Sequence, residues 1–148
     1  MSRLARALTL MAALAAALLG SGCGEDEPIA GGRPAEPFKG PYLESFNRLE
    51  RGLQDAGVEP RRTGPAAAAR RSLPRPLRSE TLATSGGTRL SVLVYNTAQI
   101  ALAARSSVRG ATPGRFTLEK VDNLLVVVTS RAPDTPEVRA VLERLETE

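Results

Sequence analysis

The strongest strand signal in the chain is the run of five aliphatic residues at Leu124–Val128, and it requires a β-sheet in the fold. The strand that contains this run is predicted over residues 124–130. Residues 116–121 precede it, and the two segments are joined by Asp122-Asn123, a two-residue turn suited to positive φ. The pattern therefore predicts an antiparallel hairpin in the second half of the chain.

A second hairpin is predicted between residues 80–84 and 88–95, which are joined by the glycine-containing loop of residues 85–87. The later strand carries apolar side chains on both alternating faces, with Leu90, Val92 and Val94 on one face and Leu93 and Tyr95 on the other. Because successive side chains of a strand point to opposite faces, we expect this strand to be buried on both sides.

The segments on either side of the hairpin at residues 80–95 have the features of helices. Residues 42–56 repeat apolar side chains at three- and four-residue spacing, and Gly57 follows as a C-terminal cap able to adopt positive φ. Asn96, with Gln99 three residues later, forms a capping arrangement. It predicts a second helix that runs to about residue 108.

The last helix has clear start signals. Asp134 or Thr135 is its N-cap, Pro136 lies in its first turn, and apolar residues recur at helical spacing as far as Leu145. The predicted element order is therefore αββαββα. The simplest packing is an α+β architecture, with a largely antiparallel four-stranded sheet and the three helices on one face.

Residues 58–79 contain six arginines and four prolines, with no acidic residue after Glu59. The prolines exclude a continuous helix or a central strand, so we expect a long loop with a short edge strand near Val58. Guanidinium groups bind phosphates and carboxylates at two points, which makes the six candidate anion-binding residues: Arg61, Arg62, Arg70, Arg71, Arg75 and Arg78. The alternative is that these arginines reflect only the composition of the chain and bind nothing, because all but two of its 20 basic residues are arginines.

The beginning of the chain has the order of a secretory signal. Arg3 and Arg6 give it a positive charge, residues 7–19 are almost entirely apolar, and small residues lead to Cys23, the single cysteine. A stretch of this length spans about 20 Å as a helix, less than the ~30 Å hydrocarbon core of a bilayer. We therefore expect the segment to direct export and to be cleaved.

The end of this signal resembles the lipobox of bacterial lipoproteins. In that family a peptidase cuts before the cysteine, whose sulfur carries a diacylglycerol; here the cut falls between Gly22 and Cys23. Ser21 and Gly22 supply the small residues that the cleavage needs, whereas Gly20 stands where the family usually has a large aliphatic residue, with Leu19 one place earlier. The alternative is an ordinary secreted protein with one free thiol.

The sequence therefore predicts three parts: a signal peptide at residues 1–22, a flexible tether at residues 23–41 that is rich in proline and glycine and too poor in apolar residues to fold, and a single α+β domain at residues 42–148 that includes the arginine- and proline-rich loop at residues 58–79. The resemblance is specific over residues 1–23. It implies a protein anchored to the cell membrane or the outer membrane, with its domain periplasmic or extracellular. Cleavage removes two arginines, which lowers the formal net charge from +4 to +2. With one cysteine, the chain forms no internal disulfide.

The composition excludes several kinds of catalytic site. The chain has no histidine, which rules out Ser-His-Asp and Cys-His catalysis and the usual zinc ligand sets. Neither GxGxxG nor GxxxxGK(S/T) occurs, and we expect no cofactor, no metal and no catalytic residue. Acidic residues such as Glu119 and Asp122 flank an exposed turn, where charged side chains are expected because they are in contact with water. Two carboxylates converging in a concave pocket would instead favour an enzyme.

As a whole, the chain is similar to small uncharacterised bacterial lipoproteins, a group that carries no assigned activity. We therefore predict a non-catalytic, monomeric binding or assembly module, attached to the membrane through lipidated Cys23. Its partner is an envelope protein or an anionic lipid or polymer, and nucleic acid is not expected because no aromatic stacking platform accompanies the arginines. The alternative is an envelope enzyme, or an accessory subunit, that acts on cell-wall or glycan substrates through carboxylates.

Overall fold

The computed structural model describes residue 40, residues 42–129 and residues 131–148. The predicted signal peptide, its cleavage site at Gly22 and Cys23, and nearly all of the predicted tether lie outside the described residues. None of the helices within the described part of the chain is both long enough and apolar enough to cross a bilayer.

The described residues form an α+β fold around one antiparallel sheet. The five strands are β1 (Pro60–Gly64), β2 (Arg78–Thr84), β3 (Arg89–Val94), β4 (Thr117–Val121) and β5 (Leu124–Val128). The helices are α1 (Glu44–Asp55), α2 (Ala98–Ala111) and α3 (Thr135–Thr147), with a short 3₁₀ helix at Ala67–Arg70. In space the strands follow the order β1-β2-β3-β5-β4, and every neighbouring pair is antiparallel. The α+β class and both hairpins are confirmed.

The prediction of a four-stranded sheet was wrong, because β1 adds a fifth strand; it lies at the edge of the sheet, within the segment expected to be a long loop with a short edge strand near Val58. This strand pairs with β2 from Pro60↔Thr84 onward, with an irregular register between Arg62 and Gly64. Proline is tolerated there because Pro60 is the first residue of an edge strand. The element order of helices and strands is therefore αβββαββα.

The expectation that all three helices lie on one face was also wrong. Leu124, Val126 and Val128 of β5 belong to a core with α1 and α3, whereas Leu125 and Val127 belong to a second core with α2. A central strand that is apolar on both faces needs a cover on each of them. The apolar side chains of β3 are likewise shared between the two cores, so this strand is buried on both faces, as its alternating apolar pattern predicted.

The helix predictions hold, with small shifts at their ends. Helix α1 lies within the predicted residues 42–56, and Gly57 follows it at φ +75°. In α2 the N-cap is Thr97 rather than Asn96: the Thr97 hydroxyl accepts a hydrogen bond from the Ile100 amide at 3.2 Å. The helix continues to Ala111, three residues beyond its predicted end.

Asp134 precedes α3 as predicted, but its carboxylate does not cap the helix. It accepts hydrogen bonds from the hydroxyls of Thr84 and Thr88 at the β2–β3 loop, the latter at 2.6 Å. Partial burial acts to raise the pKa of Asp134, yet these hydroxyls, with backbone amides, hold that pKa below its ordinary value. The side chain thus fastens the end of one hairpin to the start of the last helix.

Candidate functional site

Arg62, one of the six candidate arginines, is used within the fold itself. Its Nε donates to Glu50 Oε1 at 2.8 Å and its Nη2 donates to Glu50 Oε2 at 2.5 Å. The guanidinium carbon also lies 5.3 Å from the centroid of the Phe46 ring, within the range of a cation–π contact. This arginine therefore connects β1 to α1 and leaves the other five as the exposed members of the set.

Three of those five converge on one cleft, which we call the arginine cleft. It has a volume of about 390 Å³ and lies between the end of β1, the 3₁₀ helix and the start of β2. Its lining residues are Pro65, Ala66, Ala69, Arg70, Arg75, Pro76, Leu77, Arg78 and Ser79. Arg70, Arg75 and Arg78 are five and three positions apart in a segment without periodicity, and the structure places all three along one cleft.

Two of the three arginines in the arginine cleft carry positive charge that no ion pair among the described residues neutralises. Arg78 lies 3.2 Å from Glu80 Oε1 and forms an exposed ion pair with it. Arg70 and Arg75 form no ion pair within the described part of the chain. A guanidinium group presents paired N–H donors that match the oxygens of a phosphate or a carboxylate. The cleft is therefore suited to an anion.

The backbone around the cleft is held in place by hydrogen bonds to neighbouring elements. The Leu73 amide donates to Ser107 Oγ of α2 at 2.8 Å, and the Leu77 amide donates to the Val94 carbonyl at 2.8 Å. Ser72 is buried and its hydroxyl donates to the Ala69 carbonyl at 3.2 Å. A ligand would consequently meet a formed site, which reduces the entropy lost on binding.

The other two candidate arginines lie outside this cleft. Arg61 and Arg71 are exposed, and neither is among the residues that line it. The sequence interpretation missed Leu77 and Ser79 as lining residues. Their only signal in the sequence was their position beside Arg78, which does not distinguish them from the rest of the segment.

A second concavity, which we call the polar cleft, opens where the start of α1 meets the β4–β5 turn and the start of α2. Its volume is about 420 Å³. Its lining residues are Tyr42, Glu44, Ser45, Arg48, Asn96, Thr97, Ala98, Asp122 and Asn123. Glu44 and Asp122, two residues with carboxylate side chains, therefore line one cleft.

The carboxylate of Asp122 accepts a hydrogen bond in the polar cleft, whereas one nitrogen of the neighbouring Arg48 has no hydrogen-bond partner among the described residues. The Ser45 hydroxyl donates to Asp122 Oδ2 at 2.5 Å, and Asp122 adopts a left-handed conformation with φ +51° at the turn. Arg48 Nε is buried and has no hydrogen-bond partner among the described residues. Asn123 donates through Nδ2 to the carbonyls of Tyr42 and Tyr95 at 3.0 and 2.6 Å. These bonds tie α1 to the sheet.

Within the described residues there is no group of three or more His, Cys, Asp or Glu side chains that could hold a metal ion. Comparison with known proteins gives no match, whether to a protein family, to a curated protein or to a solved structure.

Proposed function

We propose that this chain is an envelope lipoprotein, attached to the cell membrane or the outer membrane through a lipid on Cys23. Its α+β domain, residues 42–148, lies on the periplasmic or extracellular side and acts as a monomeric, non-catalytic binding module. The arginine cleft is the ligand site of that module. The ligand carries phosphate or carboxylate groups and belongs to an anionic lipid, an acidic polymer or an envelope protein.

The observation that carries the binding proposal is the convergence of Arg70, Arg75 and Arg78 on one held cleft. Composition accounts for many arginines in the chain, but it does not account for three of them around one concavity. Like charges that lie together without full neutralisation repel one another, so an anion between them stabilises the arrangement. The proposal of the anchor rests on the sequence around Cys23.

Titration calorimetry with inorganic polyphosphate as the probe tests the cleft. We expect the full chain to bind the probe in a salt-dependent manner, because exposed charges are screened by ions. Replacement of Arg70, Arg75 and Arg78 by glutamine should weaken binding at least about tenfold, since each guanidinium supplies charge-assisted hydrogen bonds.

A control with the same change in charge separates the cleft from general basicity. Arg51, Arg89 and Arg144 are exposed and do not line the arginine cleft, and Arg51 and Arg144 belong to the helices on the opposite face of the sheet. Replacing these three by glutamine should leave most of the affinity. Equal losses in the two triple variants would show that net charge alone drives binding and would refute the cleft as the site.

The polar cleft supports a second candidate, an enzyme that acts on cell-wall glycans through Glu44 and Asp122. The specific observation is that both carboxylates line one concavity beside Arg48. Acid–base catalysis by two carboxyl groups requires one of them to be protonated at working pH. The Asp122 carboxylate is already engaged by the Ser45 hydroxyl, which joins the β4–β5 turn to α1, and this structural role leaves the binding module as the preferred function.

An oligosaccharide of N-acetylglucosamine is the probe for the second candidate. If the polar cleft is catalytic, the full chain releases reducing ends from it, and Glu44→Gln and Asp122→Asn each abolish the release. Glu119→Gln is the matched control, because Glu119 lies on β4 and is not among the lining residues of the polar cleft. Absence of product from the unaltered chain would remove this candidate for that substrate class.

A further inference from the structure

Two leucines in the arginine-rich segment stand out from the protein surface. Leu73 is 68 % exposed and Leu77 is 54 % exposed. The described residues include only two other large apolar side chains with such exposure, Tyr42 and Leu102. A single exposed leucine is ordinary on a protein surface. Here two exposed leucines lie within five residues of each other, in a segment otherwise made of arginine, proline and small residues.

The backbone that carries these leucines is fixed, so their exposure does not come from a free loop. The Leu73 amide is bonded to Ser107 of α2, and the Leu77 amide is bonded to the Val94 carbonyl at the end of β3. Immediately before Leu73, Ser72 is buried and its hydroxyl donates to the Ala69 carbonyl of the 3₁₀ helix. With both main-chain positions held on the body of the domain, the two side chains are held away from the core.

The charge around the leucines matches one kind of partner. Arg70, Arg71 and Arg75 are exposed, and none of them forms an ion pair within the described residues. No acidic residue occurs between Pro60 and Ser79. An anionic bilayer presents phosphate groups at its surface with acyl carbon directly beneath them. Arginines at the level of the phosphates and leucines below them satisfy both layers.

We propose that the arginine-rich segment docks on an anionic phospholipid surface, with Leu73 and Leu77 inserted below the headgroups and the arginines of the cleft against the phosphates. This inference rests on the proposed function, since it names lipid as the source of the anions that the arginine cleft binds. A soluble acidic polymer supplies the phosphate or carboxylate but no apolar layer, and it leaves the leucines in water. The leucines therefore favour a membrane.

Fluorescence at single positions tests the insertion. The full chain with Cys23→Ser has no other cysteine, so Leu73→Cys, Leu77→Cys and the control Leu102→Cys each accept one environment-sensitive dye. Leu102 is 55 % exposed on α2 and serves as a match in residue type and exposure. Vesicles of phosphatidylcholine with phosphatidylglycerol are compared with vesicles of phosphatidylcholine alone. Because the readout is local, binding of the N-terminal apolar stretch to vesicles affects all three variants equally.

We expect dye at positions 73 and 77 to shift to the blue with phosphatidylglycerol vesicles only, and the shift to disappear in high salt. Dye at position 102 should not shift. Adding Arg70→Gln, Arg75→Gln and Arg78→Gln should abolish the shift at position 73. The absence of a shift at 73 and 77, an equal shift at 102, or an equal shift with neutral vesicles overturns the inference.

The two proposals fail in different ways. A chain that binds polyphosphate through the cleft arginines but shows no shift at positions 73 and 77 keeps its anion site and loses the membrane docking. A chain that shifts on anionic vesicles regardless of the three arginine replacements keeps an apolar insertion and loses the cleft as its anion site.

Discussion

The Arg62 guanidinium and the Glu50 carboxylate form a two-point ion pair that joins an edge strand to a helix, with N–O distances of 2.8 and 2.5 Å. The side chains are only 14 % and 12 % exposed, respectively. An ion pair that is largely shielded from water loses less to screening than an exposed one. It therefore fixes β1, a strand with no large apolar side chain of its own, against α1.

A double-mutant cycle measures this pair. We expect Glu50→Gln and Arg62→Gln to show a coupling free energy of about 1–3 kcal/mol in urea unfolding, because both hydrogen bonds join charged groups. The control pair is Arg144 and Glu148, whose side chains are about half exposed and whose closest N–O distance is 3.9 Å. Its coupling should be about 0–0.5 kcal/mol. Equal coupling in the two cycles would contradict the role given to Arg62.

Asp134 makes the stability of the fold depend on acid. Because its pKa is lower in the folded state than in the unfolded chain, its contribution is present above about pH 4 and is lost as the pH falls toward the folded value. Asp134→Asn should therefore be less stable than the unaltered chain at neutral pH. The difference should shrink as the pH drops below about 4.

Urea unfolding at a series of pH values gives this comparison. Thr84→Val, which removes one of the donors to Asp134, should reproduce part of the effect. Thr63→Val is the control, since the Thr63 hydroxyl donates to the Thr81 carbonyl and not to a carboxylate. A difference between Asp134→Asn and the unaltered chain that stays constant with pH would show that Asp134 acts through packing alone.

Gly86 lies so close to Asp134 that a methyl group would collide with the carboxylate. Gly86→Ala should lower the free energy of unfolding by about 1–3 kcal/mol, the usual cost of forcing atoms into a packed site. Gly110→Ala is the matched change in α2, where no atom lies within 4 Å of an added Cβ. It should raise the stability by up to about 1 kcal/mol through helix propensity. Thermal unfolding measures both variants, and a change of stability with the same sign in both would contradict this prediction.

The proposed lipid anchor is tested in cells through Cys23. We expect Cys23→Ser to accumulate as an uncut precursor, because the peptidase of the lipobox family requires the lipid-modified cysteine at the cut. Intact mass and membrane fractionation report the outcome. A processed Cys23→Ser protein that still fractionates with the membrane would disprove lipidation at this residue.

Both hairpins could be predicted because their signals are local. Alternating apolar residues and turn residues such as Asp122 lie within a few positions of one another. Strand β1 was expected only as a short edge strand near Val58, because its sequence PRRTG contains no apolar alternation that fixes its bounds. It forms because the backbone of β2 offers it a ladder and because Glu50, twelve positions before Arg62, holds it from the side.

The arginine cleft and the polar cleft could not be predicted from the pattern of residues in the sequence. Arg70 and Arg75 come together around a 3₁₀ helix and prolines, where no period relates sequence spacing to distance. Glu44 and Asp122 meet because α1 packs against the end of the β4–β5 hairpin, a contact between residues far apart in the chain. Sequence composition identified the basic segment, whereas only the packing selects three of its six arginines.

The hydrogen bond from the Leu73 amide to Ser107 predicts how far the arginine cleft depends on being held in place. Ser107→Ala removes the acceptor, and the loss of one such bond should speed amide hydrogen exchange at Leu73 about fivefold. The same change should weaken polyphosphate binding, because a looser segment must be ordered by its ligand. Ser106→Ala is the neighbouring control, since Ser106 is exposed on the same helix. If Ser107→Ala speeds exchange at Leu73 and leaves polyphosphate affinity intact, the ligand does not require a preformed cleft and the arginines bind it as independent charges.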